Sequence, residues 1–429
     1  MSQRTIALDE LTKVEGHAKL RVEMDGRTVR KAELEVFEPS RYFESMVLGK
    51  SFDIVPSVSQ RICGICSVVH TVTSIKAIED AMDITPSRQT EDLRRLMLYA
   101  STIHSHTAHL FFFAAPDYLG FQDVMEMARK RKDMVRLAIE LQRISSGIVK
   151  TIGGRSLHPV NPRVGFFNSV PSAEKIQDMV KDFRQLKSLS AKAVNIFSSF
   201  RYPKLENRTD YLSLSQNGGY ELYDGGITAF EKLKFSPSDY MKYIEEEVVY
   251  RSTAKYARFG GKPYMVGAIS RMNNNDKNLS PSAKELLKKS KIKIPCFSPF
   301  MNNMAQSIEM VHFSDMAIGT LEKYESGGMK AERPKIKPKS GEGVAACEAP
   351  RGTLYHHYKF DKDGKATFAN IITPTCQNIR NMESDMQVLV PSIITDSDGK
   401  IKRTLEMLIR AYDPCFSCST HFLDLQLRR

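Results

Sequence analysis

No stretch of the chain approaches the ~20 consecutive apolar residues that a membrane-spanning helix requires. The polar start, Met1-Ser-Gln-Arg-Thr5, also lacks the apolar region of a secretory signal. These absences lead us to expect a cytoplasmic protein with no direct membrane span. Neither a G-x-x-x-x-G-K-[ST] nor a G-x-G-x-x-G run occurs, which excludes a standard phosphate loop or dinucleotide fingerprint. There is no low-complexity tract, and 429 residues that are 41% hydrophobic are enough to bury a large core. The net charge of +12 is spread along the chain, densest in Lys330-Ala-Glu-Arg-Pro-Lys-Ile-Lys-Pro-Lys339. It does not form a basic stripe interleaved with stacking aromatics, so no nucleic-acid partner is expected.

Cysteine is scarce, with seven in the chain, but four of them fall in two matched segments. These are Arg61-Ile-Cys-Gly-Ile-Cys-Ser-Val-Val-His70 and Asp413-Pro-Cys-Phe-Ser-Cys-Ser-Thr-His421. Each presents C-x-x-C, so Cys63, Cys66, Cys415 and Cys418 offer four soft ligands to one metal centre. Such spacing also suits a structural zinc site, and a single C-x-x-C suits a redox dithiol. Neither alternative accounts for Arg61, for Asp413-Pro414, or for a His after each pair. His70 lies at i+4 from Cys66, where its ring can donate to a thiolate. Cys296, Cys347 and Cys376 are single and scattered, and read as small buried residues.

The two segments closely resemble the R-x-C-G-x-C-x-x-x-H and D-P-C-x-x-C-x-x-H motifs of the large subunit of nickel–iron hydrogenases, in the family's order. Further segments strengthen the resemblance. Lys13-Val-Glu-Gly-His17 resembles R-x-E-G-H, which implies that Glu15 is the first proton relay; Lys13 departs from the usual Arg. Arg41-Tyr-Phe-Glu44 resembles R-x-F-E, implying that Glu44 ligates Mg²⁺ or Fe²⁺, a hard cation suited to carboxylate oxygen. Gly153-Gly-Arg-Ser-Leu-His-Pro159 and Val266-Gly-Ala-Ile-Ser-Arg271 match two other family segments. Asp117 is expected to pair with an active-site Arg. His104, His106 and His109 are expected to be satisfied by packing.

Near the C-terminus, Glu348-Ala-Pro-Arg-Gly352 resembles E-x-P-R-G, which implies that Arg351 overhangs the open face of the metal pair. Ile371-Ile-Thr-Pro-Thr375 implies that Thr375 hydrogen-bonds an iron-bound cyanide and that the Ile371 carbonyl joins Glu44 and His421 on Mg²⁺. The implied centre has nickel held by Cys63, Cys66, Cys415 and Cys418. Iron carrying CO and cyanide is bridged through Cys66 and Cys418. Hydrogen would be cleaved heterolytically, its proton passing to Cys415 and on to Glu15.

The expected fold is α+β and mainly helical. It has a central bundle of long helices, N-terminal antiparallel strands and a small C-terminal hairpin, with the metal site between N- and C-terminal segments. Within one domain, 1–429, we expect a β meander over 1–38, turning at Asp25-Gly26, and a helical core over 39–200. Helices are expected over 67–82, 87–113, 121–151 and 172–200. An irregular surface insertion follows over 201–235, then helices over 236–326, the last an amphipathic helix over 297–325. A basic loop, mobile at its Lys/Pro/Gly-rich part, occupies 327–349. The hairpin, two helices and metal motif fill 350–421, and 422–429 form a tail that the resemblance implies is cleaved after His421.

With four cysteines committed, the other three are too scattered to hold a cubane cluster. Electrons must therefore leave through an iron–sulfur partner, the small subunit in the family, and the resemblance further implies a flavin/NAD(P) or deazaflavin module beyond it. Within the family the chain looks most like the cytoplasmic bidirectional group of sulfhydrogenase-type enzymes. A maturation protease and nickel-insertion chaperones are further implied partners. The competing reading is a zinc-stapled or metal-free scaffold subunit without redox activity.

Overall fold

The computed structural model describes residues 3–216, 218–230, 233–290 and 292–420. His421 and the tail after it lie outside the described residues.

Strands β1 (Gln3–Leu8), β2 (Ala18–Asp25) and β3 (Thr28–Val36) form the expected antiparallel meander. Ala18 faces Val36 and Leu20 faces Leu34, so alternate side chains enter the core and their neighbours meet water. The Asp25-Gly26 turn closes the second hairpin.

The helical core is built from α1 (Ser67–Met82), α2 (Arg88–Ala108), α3 (Lys132–Gly153) and α4 (Ala173–Ser198). Their limits follow local chemistry. Ser87 caps α2 by accepting from Thr90 N at 3.1 Å, and Ser172 caps α4 by accepting from Lys175 N. Beyond α2 the helix widens into a π-helical turn over His109–Ala114 and continues to Leu119.

Three expectations need correction between 201 and 326. Residues 201–235 are not a surface excursion: β4 (Asp210–Ser215) is buried along most of its length, and it pairs with β5 (Gly226–Ala229), which pairs with β6 (Leu233–Phe235). The helices expected from 236 are instead a 3₁₀ turn, Pro237–Lys242, and an antiparallel hairpin of β7 (Ile244–Val248) and β8 (Lys255–Phe259). Glu245-Glu246-Glu247 favours helix locally. Here Glu247 is bonded by Arg258 on the paired strand and by Arg380 from a distant helix, a tertiary gain that overrides propensity. Strand β9 (Tyr264–Met265) runs parallel to β4 and leads into α5 (Ala268–Asn275). The third correction concerns α6 (Asn302–Leu321), which is not amphipathic: every residue from Asn302 to Ser314 is buried, because the helix runs through the middle of the bundle against α4 and α2.

The basic segment is irregular from 327 to 340, yet it is tied down: Glu332 accepts from Ser87 Oγ at 2.5 Å and from Thr90 Oγ1 at 3.1 Å. Its expected end at 349 is also corrected. β10 (Gly341–Ala349) is the first strand of a three-stranded antiparallel sheet with β11 (Gly352–Phe360) and β12 (Ala366–Ile372). Helix α1 packs on this sheet. The final helices are α7 (Pro374–Ile393) and α8 (Asp398–Ala411). No helix among the described residues is long and apolar enough to cross a membrane.

Candidate metal centre

The two cysteine segments, some 350 residues apart in sequence, meet in space. Cys63 ends a 3₁₀ turn and Cys66 caps α1, while Cys415 and Cys418 bracket a second 3₁₀ turn, Phe416–Ser419. All four sulfurs are buried and lie within 4.8 Å of one another. Cys63 Sγ is 3.7 Å from Cys415 Sγ, Cys66 Sγ is 3.9 Å from Cys418 Sγ, and Cys415 and Cys418 approach to 2.6 Å; none forms a disulfide.

Burial pushes the Cys415 thiol up to about 12 and holds that of Cys418 well above the ordinary thiol value. The thiol protons must therefore be displaced by something strongly thiophilic. Four soft, dehydrated donors converging on one point fit a nickel–iron pair, whose binding releases those protons.

The expected surrounding residues take these places. Glu15 reaches the cluster because residues 15 and 415 form a bridge, with Phe416 N donating to Glu15 O at 2.9 Å. Cys415 Sγ donates to Glu15 Oε2 at 2.9 Å, Ser417 N bonds the same oxygen, and Ser417 Oγ bonds Oε1. Gly16 explains how the strand comes so close: with φ at +83°, a Cβ there would stand 2.9 Å from Ser417 N, so a larger residue would wedge the strand off the cysteine turn.

Arg351 lies at the tight turn between β10 and β11. Its Nη1 is 3.7 Å from Cys66 Sγ, its Nε donates to Asp413 O at 2.6 Å, and its Nη2 pairs with Asp413 Oδ1 at 3.0 Å. Burial alone would lower the guanidinium pKa, but Asp413 and then Cys415, Cys66 and Cys63 outweigh it, so the charge is firmly held. Thr375 Oγ1 accepts from Cys415 N at 3.0 Å. A small cavity of about 10 Å³ is lined by Cys66, His70, Arg351, Thr375, Cys415 and Cys418 among others.

His70 lines the cavity, and its Nδ1 meets His356 Nε2 at 3.1 Å, because β11 brings a second imidazole against α1. Asp117, expected beside an active-site Arg, pairs with Arg410 at 2.6 Å and with Lys13 at 2.5 Å. Asp413 is the partner of Arg351. It was visible in the D-P-C motif, but only the close approach of β10–β11 to the cysteine turn shows its use. His106 is bonded to Glu309 and His109 to Gln306 and Arg410 O, whereas His104 Nδ1 is buried without a hydrogen-bond partner among the described residues. Cys347 and Cys376 are buried as expected, and Cys296 is only partly so.

Glu44 and Ile371 are brought together, with Ile371 N donating to Glu44 Oε1 at 2.8 Å. The Lys255 ammonium sits between Glu44 Oε1 and Glu246 Oε1, at 2.9 Å from each, and 3.2 Å from Asn370 Oδ1. The third expected ligand, His421, lies outside the described residues.

Comparison with known proteins agrees with this geometry. The sequence profile of the nickel-dependent hydrogenase family matches residues 41–164 and 216–421. The chain is 32% identical to the sulfhydrogenase 1 alpha chain of Pyrococcus furiosus, over 98% of both proteins. It is 33% identical to the corresponding alpha chain of sulfhydrogenase 2 from the same organism, over 98% of this chain and all of that one. The crystal structure of an NAD⁺-reducing nickel–iron hydrogenase superposes with a TM-score of 0.85 at 25% identity, over 97% of this chain and 99% of that one. With four thiols converging on one buried point, the chain belongs to the nickel-dependent hydrogenase family and is the catalytic subunit of an H₂ oxidoreductase.

Proposed function

We propose that Cys63, Cys66, Cys415 and Cys418 would hold nickel, with Cys66 and Cys418 also holding iron, and that Glu15 takes the proton released when hydrogen is split. When bound, the nickel–iron centre, with CO and cyanide on iron, supplies a soft redox-active pair that polarises and cleaves hydrogen.

The observation that carries the reading is the contact between Cys415 Sγ and Glu15 Oε2. A proton held on the Cys415 sulfur has an acceptor already in hydrogen-bond range, with no intervening water needed. Ser417 fixes that carboxylate through both its N–H and its hydroxyl. Arg351 places a permanent cation against Cys66 Sγ and the cavity, where it offsets thiolate charge and orients anionic ligands. Thr375 uses its oxygen on Cys415 N, which leaves its own O–H to donate to a cyanide in the cavity. His70, backed by His356, shapes the same wall.

Glu44, the Ile371 carbonyl and His421 are the proposed Mg²⁺ (or Fe²⁺) ligands. The chain is read as one domain that works in the cytoplasm. Both sulfhydrogenase relatives are named as single chains of larger enzymes, which supports an iron–sulfur small subunit that receives the electrons first. The solved relative is described as NAD⁺-reducing, which supports an onward module delivering to NAD(P) or another soluble carrier. Cleavage after His421 by a maturation protease, and nickel delivery by chaperones, complete the proposal.

Infrared spectra of the purified protein test it. Bands from metal-bound CO and cyanide are expected, together with nickel on mass spectrometry. Zinc alone, without such bands, would instead favour a stapled scaffold.

A further inference from the structure

A fully buried arginine, Arg271 of α5, stands behind the turn that carries Arg351. A guanidinium has five N–H donors, and the structure uses every one. Nε and Nη2 grip Glu309 Oε1 and Oε2 at 2.6 and 2.8 Å. Nη1 bonds Glu348 Oε2 and the carbonyl of Ala349, both at 2.9 Å, and Nη2 also bonds the carbonyl of Pro350 at 3.1 Å. The last two acceptors are the backbone groups immediately before Arg351.

The carboxylates on either side are fixed in turn. Glu309 accepts from Tyr220 Oη at 2.6 Å and contacts His106 Nε2 at 2.8 Å, while Glu348 accepts from Leu214 N at 2.8 Å and Thr353 Oγ1 at 2.6 Å. Helix α6 ties both ends of the assembly together. Glu309 holds Arg271, and one turn earlier Gln306 Nε2 donates to Asp413 Oδ2 at 3.2 Å, the carboxylate whose other oxygen pairs with Arg351. The entry to α5 presses on the same turn: Gly352 has φ at +132°, and a Cβ there would lie 2.4 Å from Val266 Cγ2.

We propose that Arg271 is a positioning residue for the reaction, clamping the Ala349–Pro350 backbone so that the Arg351 guanidinium stays over Cys66. This rests on the role given to Arg351 above. A lysine cannot replace the clamp, since its three donors radiate from one nitrogen and cannot span two carboxylates and two carbonyls. Misplacing a reacting group by ~1 Å can cost ~100-fold in rate, so the turn need not unfold for activity to fall.

The test is a double-mutant cycle on the metal-loaded complex, with R271K, R351K and the double variant. Turnover of H₂ and the infrared bands of the iron-bound diatomic ligands are both read. If Arg271 acts through Arg351, R271K lowers kcat by about 10- to 100-fold. It also shifts the bands in the direction seen in R351K, and the double variant falls within about twofold of R351K. Losses that multiply, or an R271K protein with unchanged bands, overturn the inference and leave the role of Arg351 standing. An R351K protein with undiminished kcat overturns both. Where R271K does not assemble, the same cycle is read with E309Q, which weakens the charged grip that fixes the far side of Arg271 and so loosens its hold on the two carbonyls; the same non-additivity is expected.

Discussion

At the scale of single residues, the proposed mechanism depends on a carboxylate held within reach of one particular sulfur. Glu15→Gln keeps the size and most contacts of the side chain but cannot carry the proton. Its H₂ turnover should fall by about 100-fold or more, with nickel content unchanged; a variant with normal turnover would remove Glu15 from the mechanism. A second carboxyl makes a pH prediction. Asp385 is fully buried against Tyr412 Oη and Asn207, and burial pushes its pKa from 3.8 to about 7. The folded protein therefore holds a proton that the unfolded chain releases above pH ~4. Stability contributed by the neutral acid is complete below that pH, declines as the pH rises through about 7, and is level above it. Asp385→Asn, neutral throughout, should lack this decline; urea unfolding of the two proteins between pH 4 and pH 8 reads the difference. Asp117 and Asp413 show where residue-level reading runs out. Both are acids near arginines, and only the folded path of the chain decides that Asp413 meets Arg351 and Asp117 meets Arg410.

At the scale of elements, the site is built where strands and turns approach more closely than side chains normally permit. Gly16→Ala should put strain of about 1–2 kcal/mol on the left-handed backbone and push the Glu15 segment from the Phe416–Ser419 turn. Lower nickel retention on dialysis, alongside the stability loss, is the expected result; full retention would show that this contact does not hold the centre closed. The long helices were legible because their signals are local: Ser87 and Ser172 announce the starts of α2 and α4, and apolar periodicity carries each to its end. The hairpin of β7 and β8 was not legible, since three successive glutamates look helical until Lys255, Arg258 and Arg380 are placed around them. Helix α6 escaped for the opposite reason: its Asn, Gln, Ser, Glu and His residues look like a wet face, but they are buried and bonded inside the bundle, Gln306 and Glu309 among them. The four cysteines, Glu15, Arg351 and Thr375 were legible because their motifs travel as units, whereas the clamp by Arg271 involves partners from separate segments.

At the scale of the whole molecule, folding and metal binding are one problem, because the ligands come from residues 63–66 and 415–418. In the metal-free protein burial holds the protons on Cys415 and Cys418, and the two cysteine segments are joined by contacts that include the β-bridge at Glu15 and Arg41, which bonds Ile62 O and Ser417 O. Metal selective for the folded state adds ~2.7 kcal/mol at a concentration 100-fold above its dissociation constant. Chelator-treated protein should therefore unfold at a lower temperature than the loaded form, and the difference should vanish in a Cys418→Ser variant. The most direct test of the account is X-ray absorption at the nickel edge of the purified, loaded enzyme. The account predicts nickel surrounded by the four cysteine sulfurs with iron as a near neighbour; nickel ligated by nitrogen and oxygen alone, or zinc in its place, would contradict it.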